Sequence, residues 1–137
     1  MRKKSVLFIC TGNSARSQMA EGLLRHMAGD EYEVSSAGTE PGGIHPRTVE
    51  VMKELGVDLA GHTSKDLGPF LGRKFDFVIT VCDRAKQHCP VFPGAEPIHW
   101  GFDDPVDAPA DRQLETFRRV REEIAQRLRL FVLSHRD

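Results

Sequence analysis

Ser5-Val6-Leu7-Phe8-Ile9-Cys10-Thr11-Gly12-Asn13-Ser14-Ala15-Arg16-Ser17 reads as a buried strand, a tight loop and the opening turn of a helix. A cysteine and an arginine six residues apart bracket the loop, whose main-chain N–H groups can turn inward together. The following helix aims its free N–H groups and the positive end of its dipole at the same point. Such a nest holds a tetrahedral anion, with Thr11, Gly12, Asn13, Ser14, Ala15 and Arg16 as the oxyanion-binding residues. Arg16 can fork two hydrogen bonds onto two anion oxygens, and Gly12 is the expected site of a positive φ. Cys10 then lies beneath the anion. The dipole, the loop N–H groups, Arg16 and the Ser17 hydroxyl all favour thiolate over thiol there. The chemistry implied is thiolate attack on a bound oxyanion. A plain core cysteine would explain neither Gly12 nor Arg16.

Outward from that stretch, 137 residues suit one domain, 1–137, with a real core. Nineteen basic against twenty acidic residues leave no field for nucleic acid or an anionic membrane, so any anion preference is local to a pocket. No apolar run approaches the ~20 residues of a membrane span, and Met1-Arg2-Lys3-Lys4 leads into a strand without a cleavage pattern, which predicts a cytoplasmic protein. Three cysteines cannot all pair, and in a reducing compartment they suit catalysis or metal binding better than structure.

Apolar spacing predicts a first helix over 17–28, a second from Pro46 to Gly56 through Val49, Val51, Met52 and Leu55, and a long one over 111–133. Glu31–Ser36, Phe75–Val81 and Ala95–Trp100 read as further strands, and the poorly patterned stretch after Gly56, through His62 and Gly68-Pro69 to Gly72, as a linker. Alternating strands and helices imply right-handed crossovers, hence an α/β domain: a doubly wound, parallel four-stranded sheet with helices on both faces. Ligands gather at the carboxyl edge of such a sheet, where Cys10, Ser36, Cys82 and the Asp103-Asp104-Pro105 segment all fall.

These motifs carry a resemblance over nearly the whole chain. The Cys10–Ser17 loop with Asp104-Pro105 resembles the low-molecular-weight protein tyrosine phosphatase superfamily. The run from Cys10 to Gly22, Ser36-Ala37-Gly38, His62-Thr63-Ser64, Cys82 with Cys89, and Trp100-Gly101-Phe102-Asp103-Asp104-Pro105 are similar to its thioredoxin-coupled arsenate reductases. The resemblance implies Cys10 as nucleophile, Arg16 and the loop as oxyanion holders, Ser17 tuning Cys10 and Asp104 as general acid. It also implies Cys82 and Cys89 as a thiol relay ending in their disulfide. Arsenate would be the substrate, phosphate and sulfate competing oxyanions, and thioredoxin an external reductant to a monomer with no bound cofactor or metal.

The chemistry stands beside the resemblance. Expelling an oxygen from arsenic is easier when a positioned acid protonates it, which suits Asp104; a turn-initiating aspartate before proline is the plainer reading. A second thiol attacking the Cys10 sulfur would release arsenite, and a third would then free the first. Cys82, His88 and Cys89 as a zinc site would lack a fourth ligand, and a pair of unrelated core thiols fits poorly with the polar surroundings of Cys89. If residues 82–89 were helical, their Cα atoms would stand about 10 Å apart, from a rise of about 1.5 Å per residue. A disulfide needs roughly 4.4–6.8 Å, so the segment must rearrange on oxidation.

Three departures matter. Ala15 stands where many relatives have a cysteine, Gln18 replaces the proline usual in the tyrosine phosphatases, and Val106 replaces an aromatic that would hold a phosphotyrosine ring. Relatives that use a monovalent cation resemble this chain at Asn13, Glu21 and Ser36 but carry an aspartate where Lys65 follows His62-Thr63-Ser64. Asn13, Glu21, Ser36, His62 and Lys65 are thus expected to support the loop, the Lys65 ammonium replacing the ion. No role falls to the other histidines, and the arginines of the last helix read as a solvated face. The alternative activity is phosphomonoester hydrolysis through Cys10, with Asp104 protonating the leaving oxygen. A binding or redox-sensing module would not need Asp104.

Overall fold

Residues 2–136 are described by a computed structural model. Strands β1 (Lys4–Cys10), β2 (Tyr32–Gly38), β3 (Phe77–Thr80) and β4 (Glu96–His99) form one parallel sheet in the order β2-β1-β3-β4. Val6, Leu7, Phe8 and Ile9 are fully buried, as a continuous apolar run in a central parallel strand requires. From β1 the chain steps to one side for β2 and then crosses back for β3, so the order reverses at β1 and a crevice opens at the carboxyl ends of β1 and β3. Cys10 ends β1, and Cys82 lies two residues past β3. The reversal brings the two cysteines to one crevice.

Four α-helices accompany the strands among the described residues: α1 (Arg16–Ala28), α2 (Pro46–Lys53), α3 (Asp83–His88) and α4 (Gln113–Ser134). Helix α1 lies on β1 and β2 and packs against α4, while α3 packs at β1 and β3. Helix α4 turns Phe117, Val120, Ile124, Leu128 and Phe131 into the core at helical spacing, and Phe131 meets Phe77 and Trp100 edge-on at 5.1 and 5.8 Å. Each such buried side chain contributes roughly 1.5–3 kcal/mol relative to exposure.

Helix α2 is shorter than its apolar spacing predicts. It ends at Lys53 and buries Thr48, Val51 and Met52; Val49 on it and Leu55 past its end both stay at the surface. The solvated face expected of α4 is broken by Arg121, which is buried and donates to the Val51 carbonyl and to Glu54. Arg118, and then Arg121, hydrogen-bond the Glu54 carboxylate and hold its pKa down to about 2, locking α2 to α4.

The 62–72 stretch is less of a linker than its composition suggests. Asp66 forms a parallel bridge with Gly38; Gly38 N donates to the Lys65 carbonyl, Leu67 N donates to the Gly38 carbonyl, and Gly68–Phe70 form a 3-10 turn. This extension of the sheet past β2 brings Ser64 and Lys65 beside the Cys10 loop.

Candidate active site

The loop after β1 is a ring of outward carbonyls. Cys10 O accepts from Thr39 N, Thr11 O from Glu40 N (2.8 Å), Gly12 O from Gly42 N and Ser64 Oγ, and Ser14 O from His45 N and Thr48 Oγ1 (2.7 Å). With the carbonyls held outward, the peptide planes turn their N–H groups toward the centre. Helix α1 starts at Arg16 with no side chain capping it and no acid in its first turn, so its leading N–H groups join that centre. Gly38 makes the close fit possible: a Cβ there would stand 2.6 Å from the Thr11 oxygen.

The positive φ of this loop falls on Asn13 (47°), not on Gly12 as expected from the sequence. Gly12 instead serves close approach, since a Cβ on it would lie 3.2 Å from Ser14 Oγ. Asparagine tolerates this region better than most residues, and here four hydrogen bonds hold it. Asn13 Nδ2 donates to Ser17 Oγ (2.8 Å) and Ser36 Oγ (3.0 Å), while its Oδ1 accepts from Gln18 Nε2 (3.0 Å) and Lys65 N (2.8 Å).

Cys10 is 2% exposed, with its sulfur 2.8 Å from Ser17 Oγ and 3.2 Å from Asn13 N. Burial pushes its thiol pKa up, whereas Ser17, Arg16 and Asn13 pull it down without overcoming the burial. The net direction is therefore toward the thiol, opposite to the thiolate bias expected from the sequence, because burial strips the sulfur of solvent faster than the neighbouring donors replace it. Arg16 donates to the Phe102 carbonyl (3.0 Å) and pairs with Asp104 Oδ2 at 3.3 Å. The other Asp104 oxygen accepts from Val106 N, which fixes the carboxyl at the mouth. Thr11, Arg16, Cys82 and Asp104 line that mouth, a cavity of about 710 Å³.

Behind the loop lies the buried Glu21 carboxylate. Ser36 Oγ and Arg25 Nη2 (2.7 Å) donate to it, and the Lys65 ammonium stands 3.9 Å away, Lys65 Nζ also donating to the Thr63 carbonyl. Its charge is compensated by Arg25 and Lys65, as burial requires. Lys65 thus brings a positive charge of its own to this point. Among the described residues no group of three or more His, Cys, Asp or Glu side chains is arranged to hold a metal.

Gln18 donates to Asn13 and to the Thr63 carbonyl, so its Oε1 is left to accept from His62 Nδ1–H (3.0 Å). His62 Nε2 is then the acceptor for Arg25 Nη1 (3.0 Å), which requires the neutral ring. Burial pushes the His62 pKa down, as do Arg25 and Lys65; Glu21 opposes them. Because the folded pKa lies below the unfolded one near 6.5, the neutral ring's contribution is present above that pH and is lost as pH falls through the folded value. Between pH 7.5 and 5, urea unfolding is therefore expected to show a larger loss of stability for the wild type than for His62→Gln. Equal losses would remove His62 from this account.

Cys82 caps α3, its sulfur accepting from Ala85 N (3.4 Å) and lying 3.4 Å from Thr11 Oγ1; it is 4% exposed. Cys89 follows the other end of α3, half-buried beside an apolar cavity of about 360 Å³ and bonded to the Pro90 carbonyl. Burial pushes its thiol pKa up. Two contributors went unread in the sequence. Thr48 anchors the Ser14 carbonyl, and Gln18, which the sequence marks only as a replaced proline, is through its amide the hub between Asn13 and His62.

Comparison with known proteins gives a consistent result. The family model for low molecular weight phosphotyrosine protein phosphatase matches residues 5–135. Arsenate reductase 2 of Staphylococcus saprophyticus is 46% identical over 132 residues, covering 96% of this chain and 98% of its own. A solved arsenate reductase in the phosphate binding state has a TM-score of 0.77 at 33% identity, with 96% and 98% covered. The thioredoxin-dependent arsenate reductase of Corynebacterium glutamicum has a TM-score of 0.78 at 35% identity, with 96% of this chain and 61% of that one covered.

Proposed function

The chain belongs to the low molecular weight phosphotyrosine protein phosphatase family, and from that membership and its three thiols we propose that it reduces arsenate to arsenite. The observation that carries the reading is the buried Cys82, 3.4 Å from a hydroxyl of the anion loop, in a place where phosphoester hydrolysis has no use for a second thiol. We read residues 1–137 as one catalytic domain.

In this mechanism the loop N–H groups and Arg16 bind arsenate, and the Cys10 sulfur attacks arsenic. The departing oxygen leaves as water, with Asp104 supplying a proton at the mouth. Ser17, bonded to the sulfur, steadies the thiolate. Cys82 then attacks the Cys10 sulfur; the sulfur–arsenic bond breaks, its electron pair goes to arsenic, and arsenite leaves a Cys10–Cys82 disulfide. Attack by Cys89 on Cys82 frees Cys10 and leaves the Cys82–Cys89 disulfide, which a thioredoxin dithiol reduces. Phosphate and sulfate compete for the loop. Because α3 separates Cys82 from Cys89, at about 1.5 Å of rise per residue, it must unwind for that bond to form.

The deciding assay is arsenate-dependent NADPH oxidation with thioredoxin and thioredoxin reductase, run beside hydrolysis of an aryl phosphate. Arsenate turnover that needs thioredoxin is the expected result; aryl phosphate turnover without it would favour the phosphatase alternative, for which Cys10 and Asp104 are also placed.

Lys65 leads to a further expected outcome. With its ammonium beside Glu21, the loop needs no potassium, so thermal stability and arsenate KM are expected to agree within about twofold in potassium and in tetramethylammonium salts at matched ionic strength. A marked loss without potassium would show that an ion does this work.

A further inference from the structure

Helix α3 is tied to the sheet by a histidine with no part in the chemistry above. His99, the last residue of β4, pairs in register with Thr80, and its Nδ1 lies 2.8 Å from the buried Thr80 Oγ1. Its Nε2 lies 2.9 Å from Oδ1 of Asp83, the first residue of α3 and the neighbour of Cys82. A carboxylate only accepts, so Nε2 carries the hydrogen and Thr80 fixes the plane of the ring. Gly101 passes beside the pair, where a Cβ would lie 3.7 Å from Nε2 and 3.8 Å from Oδ1, while the Asp83 side chain stays open to solvent. The histidine is thus built into the sheet, and the aspartate sits on the segment that must unwind.

We propose that His99 is a positioning residue for the redox segment, a latch that holds Asp83 while Cys82 and Cys89 are thiols and lets go when they pair. The inference rests on the relay reading above. Cys82 caps α3 through its sulfur, which it must turn toward Cys89 to form the disulfide, and the first turn of the helix loses its cap in doing so. Asp83 belongs to that turn. The His99–Asp83 bond therefore exists in the dithiol form and is lost in the disulfide form. A contact made only in the reduced form draws the couple toward reduction, so the latch makes the disulfide more oxidising and easier for thioredoxin to open. It also returns Cys82 to its place beside Thr11 after each cycle.

The test is a redox titration of the full chain against dithiothreitol, whose dithiol delivers two electrons and two protons to the Cys82–Cys89 disulfide and closes to its own ring. His99→Phe is expected to shift the equilibrium about fivefold toward the disulfide, which is about 20 mV more negative for a two-electron couple. Asp83→Ala, at an exposed position, is expected to give the same shift, and the double variant no more than either single one. His99→Gln, whose amide N–H reaches the same carboxylate, is expected to stay within about twofold of the wild type. An unchanged potential in both His99→Phe and Asp83→Ala, or additive shifts in the double variant, would overturn the latch and leave the relay standing. Peptide mapping that finds no Cys82–Cys89 disulfide after arsenate turnover would remove the relay and the latch together.

Discussion

A Cys10→Ser protein is expected to lose arsenate reduction and any aryl phosphate hydrolysis by about 10⁴–10⁶-fold, the scale on which removal of a covalent nucleophile acts. The loss should be chemical. Cys10 is 2% exposed and nearly matched in shape by serine, whose hydroxyl can keep the contacts to Ser17 Oγ and Asn13 N. The loop carbonyls that orient the anion site are held by the 39–48 segment, which the substitution does not touch. Phosphate should therefore still raise the melting temperature of the variant as it does that of the wild type, because a ligand bound only by the folded state stabilises it. Lost activity with retained phosphate stabilisation is the expected pair of results. Appreciable turnover in Cys10→Ser would remove covalent catalysis from the mechanism.

The two distal cysteines should separate the reductase from the phosphatase. Cys82→Ser and Cys89→Ser are each expected to cut thioredoxin-coupled turnover by at least about 10³-fold, since a relay without one carrier has no second cycle. Aryl phosphate hydrolysis should stay within about threefold, as neither sulfur is needed to make or hydrolyse a Cys10 ester. The variants also differ from each other. Cys89→Ser can still attack through Cys82, so it should release one arsenite per chain and stop as a Cys10–Cys82 disulfide, readable by peptide mass. Cys82→Ser should release none. Sustained reduction by Cys82→Ser would sink the proposed order of thiols.

The sequence made the first third of this account legible for a physical reason. An apolar strand, a five-residue loop and an amphipathic helix are local features, and the cysteine–arginine spacing sits across their junctions. The arrival of Cys82 and Asp104 at the same rim followed from the rule that parallel strands present their carboxyl ends together. What stayed hidden depends on distant partners. Helix α3 has one buried residue, Ala85, and hence no apolar period to read; its capping sulfur and its ties to the sheet define it. Asn13 takes the left-handed backbone that Gly12 could have taken because Ser17, Ser36, Gln18 and Lys65 hold its amide. Arg121 resembles its solvated neighbours in composition, yet faces Val51 and Glu54 across an interface that only the packing of α2 on α4 creates.

The outward carbonyls of the Cys10 loop bear on how such a site can change over generations. Thr39, Glu40, Gly42 and His45 hold the loop through main-chain N–H groups, which nineteen of the twenty amino acids supply alike. Most replacements at these positions leave the donor in place, and only proline removes it. The anion centre is likewise made largely of backbone, so few side chains near it are individually indispensable. A lineage could recolour the whole collar, altering charge and bulk to admit a different oxyanion or exclude an ester, while the cradle kept its shape. The chemistry is anchored in a handful of side chains, and selectivity is free to drift around them.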